Sequence, residues 1–105
     1  MAAEYLKTVR FESIDKNTLF NYCAEAAVQC GYKIVERNAE KGKLLLKVPI
    51  NWYSWGETIS VELSNLISLT EVEIRSWCRG IQVIDWGKNR RNVNQLINEI
   101  KLKVN

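Results

Sequence analysis

Histidine is absent from this 105-residue chain, and proline appears once. Without an imidazole, acid–base chemistry near neutral pH falls to carboxyl, lysine or tyrosine groups, and the usual zinc sets are incomplete. The three cysteines, Cys23, Cys30 and Cys78, are odd in number and show no CxxC spacing. They therefore read as buried free thiols, neither metal ligands nor a disulfide framework. Gly31, Gly42, Gly56, Gly80 and Gly87 stand singly along the chain, which excludes a P-loop or a dinucleotide fingerprint. No stretch approaches the roughly 20 apolar residues of a membrane span. The start, "MAAEYLKTVRFES", has neither the basic nor the apolar region of a secretory signal. A cytoplasmic location is expected, with no membrane partner, metal or cofactor.

What is present suits an ordinary globule. The composition is 47% hydrophobic and 26% charged, and this length predicts one domain over residues 1–105. A net charge of +3 is too small to imply a polyanion partner by itself. The charge is unevenly placed: residues 86–105 carry Lys88, Arg90, Arg91, Lys101 and Lys103 against Glu99 alone, so the basic surplus lies at that end.

Periodicity supplies the elements. "YLKTVRF" places Tyr5, Val9 and Phe11 on one parity, as a half-buried strand does. From Lys16 to Cys30, Leu19, Phe20, Cys23, Ala26, Ala27 and Cys30 follow the rhythm of an amphipathic helix, with Asp15 as cap and Gly31 as terminator. Strands of period two follow in "YKIVERN", "KLLLKVP", "TISVELS" and "LTEVEIRSW", and "IQVID" is a candidate further short strand. In "TISVELS" the buried set is Ile59, Val61 and Leu63, leaving Thr58, Ser60, Glu62 and Ser64 exposed. A final helix is expected from about Asn89 to Leu102. Strands bunched between two helices predict an α+β fold, β-α-β(4)-α. Its antiparallel sheet would carry both helices on one face and leave the other open.

Two resemblances accompany this reading. The topology is similar to one half-repeat of the TATA-binding protein, though no base-reading motif accompanies it. The phrases "SWGE" and "DWGKNRRN" resemble a group of small bacterial domains that end in a similar phrase. Neither resemblance brings an activity with it.

Two stretches repeat Trp-Gly-charge: Trp55, Gly56 and Glu57, then Asp85, Trp86, Gly87 and Lys88. Lys88, Arg90 and Arg91 stand at the positive start of the last helix, where acidic residues are usual. Something negative is expected nearby, either an internal carboxyl (Asp85 or Glu57) or an external anion. Arg90 lies three residues before Val93 and Asn89 four before it, which predicts both inward and Lys88 and Arg91 outward. Arg90 would then lock onto Glu57, with the tryptophans roofing a structural corner between sheet and helix. A ligand pocket lined by Trp52, Trp55 and Trp86 is the sharper alternative.

The functional expectation is a small intracellular domain that binds without catalysis. A protein partner would engage the open sheet face, where Leu45 and Trp77 are apolar outliers among charges. The alternative is phosphate or nucleic-acid binding through Lys88, Arg90 and Arg91. Catalysis ranks third, since Glu71 and Glu73 on one strand face read as a solvated surface and not as an acid–base pair.

Overall fold

The first strand, β1 (Glu4–Glu12), sends Phe11 into the core and leaves its alternate residues outward. The computed structural model describes residues 4–50, 56–78 and 87–105. Asp15 caps α1 (Lys16–Gln29), accepting from the Thr18 backbone N–H at 2.9 Å and from the Thr18 hydroxyl at 2.7 Å. These bonds, the hydroxyl's first, hold the Asp15 carboxyl below its usual pKa. The helix closes in a Schellman turn, with Gly31 N–H bonded to Val28 and Tyr32 N–H to Ala27.

The chain then runs through β2 (Lys33–Asn38), β3 (Lys43–Lys47), β4 (Thr58–Asn65) and β5 (Leu69–Trp77) before α2 (Lys88–Val104). The five strands form one sheet in the order β1-β5-β4-β3-β2 with every neighbouring pair antiparallel. This is the expected α+β order. The first strand closes the sheet beside the last, and a β-bulge between Ile34 and Glu36 interrupts the opposite edge, which discourages pairing there. "IQVID" lies outside the described residues.

Both helices pack on one face of the sheet, α1 over β2 and β4, α2 over β1 and β5, and they touch each other. Leu19, Phe20, Leu46, Ile59, Ile74 and Leu96 are among the fully buried side chains of the layer between. The alternation selects them, because Leu44, Leu46, Ile59, Val61, Val72 and Ile74 share one side of the pleat.

Two burial expectations need correction. Cys23 and Cys78 are buried but Cys30 is half-buried, because as the C-cap residue it ends α1 at the rim of the core it packs against. Burial pushes the Cys23 thiol up to about 12, and burial together with Glu99 pushes Cys30 up to about 11. Thr58, expected outward, is only 3% exposed, and its Oγ1 has no hydrogen-bond partner. It stands in register between two large side chains, Trp77 and Lys47, which is where a small residue loses its solvent.

Candidate functional site

Two surfaces follow from this frame: a polar corner at the start of α2, and the sheet face that neither helix covers. The corner begins at Glu57, whose carbonyl accepts from Val48 N–H at 2.9 Å and so extends the ladder past β3. Glu57 shares its parity with Ile59 and Val61, so its side chain enters the helix side, where it is 0% exposed. Asn92 of α2 donates to its Oε1 at 2.8 Å.

Other amides continue the corner. The Tyr32 hydroxyl donates to the Asn92 carbonyl (3.2 Å) and to Gln95 Oε1 (3.1 Å), and burial pushes that phenol upward. Ser76 Oγ donates to Asn89 Oδ1 at 2.8 Å, and Asn89 Nδ2 approaches Cys78 Sγ at 3.6 Å. A buried polar group needs such partners, since leaving one unmade costs more than making one gains.

Gly56 and Gly87, the two glycines of the Trp-Gly pairs, both adopt left-handed backbone, at φ +85° and +75°. A side chain is strained in that region, so glycine is what lets the chain turn into β4 and into α2. Trp52, Trp55, Asp85 and Trp86 lie outside the described residues, as does any pocket among the tryptophans.

The expected lock between Arg90 and Glu57 does not form: Arg90 is exposed, and Asn92 makes the contact. The reason is helix phase. The buried positions of α2 are Lys88, Asn89, Asn92, Val93, Leu96, Ile97 and Ile100. Ile97 marks one edge of this stripe, and Arg90, about 20° beyond it on the first turn, emerges into solvent. Lys88 falls on the other flank and is 7% exposed, contrary to the outward placement expected. The basic trio is thus divided, with Lys88 turned inward and Arg90 and Arg91 on the surface. Sequence reading placed Asn89 inward, where it is buried, and missed Asn92, Ser76 and Tyr32. Two asparagines in phase with an apolar stripe were the available signal.

The second face carries, by register, Leu6, Arg75, Ser60, Leu45 and Glu36 in one row across the strands. Leu6 is 47% exposed, while Leu45 and Trp77 are half-buried by their neighbours. A shallow depression of about 140 Å³ opens there, lined in part by Leu45, Ser60, Lys43 and Glu62. Charges of both signs are interleaved, with Arg10 bonded to Glu71 at 3.1 Å and Lys43 to Glu62 at 3.4 Å. Between α1 and β2 lies a separate open groove of about 630 Å³, where Arg37 donates to Asn21 and its guanidinium sits 5.5 Å from the Phe20 ring centroid.

Among the described residues no group of three or more His, Cys, Asp or Glu could hold a metal ion. No described helix is long and apolar enough to cross a membrane.

No family model matches the chain, and none of the curated proteins does. Solved structures resemble it in fold. The crystal structure of Ara h 8.0201 aligns with TM-score 0.50 at 8% identity, over 97% of this chain and 98% of that one. The ZhuI aromatase/cyclase from Streptomyces sp. R1128 aligns with TM-score 0.50 at 9% identity, over 100% of this chain and 97% of that one. At such identity the likeness concerns the fold alone.

Proposed function

We propose that the chain is an intracellular, noncatalytic binding domain that engages a protein partner through the second face of its sheet. One observation carries this reading: neither helix covers that face, yet it presents Leu6, Leu45 and Trp77. Large apolar side chains on a face that neither helix covers, with charges around them, are how interfaces are commonly built. The same face is poorly suited to nucleic acid. Its lysines and arginines alternate with Glu62, Glu71 and Glu73, and these carboxylates oppose the counterion release that phosphate binding exploits.

A second reading keeps an anion at the start of α2, where Arg90 and Arg91 are exposed. The inward turn of Lys88 removes one of its three cations and so counts against it. Nor does a fold likeness to an aromatase/cyclase at 9% identity supply a reaction.

Amide chemical-shift mapping separates the two readings. With inorganic phosphate, nucleotides and short oligonucleotides added in turn, no saturable shifts are expected at Arg90, Arg91 and their neighbours. Saturable shifts there that fade steeply with salt would transfer the function to the basic turn.

A further inference from the structure

We infer that the partner on the second sheet face is another copy of this chain, stacked face to face about a two-fold axis running along β4. The inference rests on the interaction reading above and names its partner. Its basis is the distribution of charge across the strands.

Two like-charge pairs stand directly opposite one another in register, Glu62 with Glu73 on β4 and β5, and Lys33 with Lys47 on β2 and β3. Such pairs destabilise a sheet unless something offsets them. Glu62 is held by Lys43 at 3.4 Å, whereas Glu73, Lys33 and Lys47 form no ion pair with the described residues. Glu73 lies on one side of the central strand β4, and Lys33 and Lys47 lie on the other. That asymmetry is what a self-complementary surface requires.

A two-fold axis along β4 preserves level along the strands while exchanging β5 with β3 and β1 with β2. Register then sets each contact. Glu73 faces Lys43 of the second copy, Glu4 faces its Lys33, and the Trp77 ring faces its Lys47, a cation–π arrangement. Arg75 lays its aliphatic stem over the second copy's Leu45, and Ser60 meets Ser60 on the axis. The two Glu62 side chains also meet there, each flanked by its own Lys43. An axis across the strands would instead stack each strand on itself, so that at the Ser60 level Arg75 meets Arg75 and Lys43 meets Lys47, and at the Glu62 level Glu73 meets Glu73. The axis along β4 leaves the Glu62 pair as the single like-charge contact in register. Sheets stacked in this aligned manner lie about 10 Å apart.

The area sets the strength. Five strands about 4.8 Å apart and about 20–25 Å long give roughly 500 Å² per copy. The total, about 1,000 Å², is at the lower bound for a specific interface. The dimer is therefore expected to dissociate on dilution, roughly through the micromolar range, and to weaken with salt.

Sedimentation of the full chain across concentration and salt tests this. Glu73→Lys and Lys43→Glu should each weaken self-association about tenfold or more, since each creates two like-charge contacts per dimer. An equimolar mixture of the two variants should restore it, because every such contact in the heterodimer then joins opposite charges. Glu4→Lys with Lys33→Glu, on the exposed edge strands, repeats the design without touching the pair between Lys43 and Glu62. Arg90→Glu should change nothing. A chain that stays monomeric to millimolar concentration, or variant mixtures no stronger than either variant alone, would overturn the inference. The interaction reading would then be decided separately, by the mass of whatever is captured at Leu45.

Discussion

Phe20→Ala should cost about 4 kcal/mol of folding stability. The ring is 1% exposed, on the face of α1 that packs over the sheet, with the Arg37 guanidinium 5.5 Å from its centroid. Truncation removes the transfer free energy of the ring, leaves a cavity that close-packed neighbours fill only partly, and deletes the cation–π contact. For a domain whose total stability is about 5–15 kcal/mol, that is a large fraction. In urea the unfolding midpoint should fall while the slope holds, because the area exposed on unfolding changes little. A loss under about 1 kcal/mol would mean that α1 is not seated on the sheet through this residue.

The second large effect belongs to the polar corner. Asn92→Ala should cost about 2 kcal/mol, because the Glu57 carboxyl is 0% exposed and loses the amide that donates to it at 2.8 Å. Glu57→Ala should cost at least as much, adding a cavity and stranding the Asn92 amide. The double variant should lose less than the sum, with a coupling of about 1–2 kcal/mol. Arg90→Ala, on the exposed flank of α2, should stay within about 0.5 kcal/mol. Additive losses at Glu57 and Asn92, or a large loss at Arg90, would restore the arginine lock and remove Asn92 from it.

The contrast between Arg90 and Asn92 marks where sequence legibility stops. The first helix was readable because three independent signals agree: a capping Asp15, an apolar stripe from Leu19 to Ala27 and the Gly31 stop. The strands were readable for a similar reason, since Ile59, Val61 and Leu63 alternate with polar residues and a one-residue slip would expose them all. At the start of α2, residues 88–92 include no apolar side chain, so nothing local fixes the phase there. It is set further along, by Leu96 and Ile100. Burying asparagines beside lysine is a tertiary solution, made possible by Ser76, Tyr32 and Glu57 arriving from other elements. Thr58 teaches the same lesson: parity placed it outward, and its register neighbours Trp77 and Lys47 decided its burial.

The basic turn and the open sheet face were both visible in the sequence as departures from pattern, cations at a helix start and apolar residues among strand charges. The structure separates them by geometry. Lys88 turns inward while Arg90 and Arg91 remain on the surface, so the turn no longer presents a three-cation cluster. The sheet face keeps its row from Leu6 to Leu45 in register across four strands, with Trp77 beside it.

Site-specific photocrosslinking in living cells tests the claim of a functional sheet face most directly. A photoreactive phenylalanine analogue is placed at Leu45 in one variant and at Arg90 in another. A saturable protein adduct at Leu45, lost when Trp77 is changed to Asp, with none at Arg90, is the predicted result; an adduct of twice the chain mass identifies the second copy, and another mass a different protein partner. Adducts at Arg90 and none at Leu45 would contradict the account.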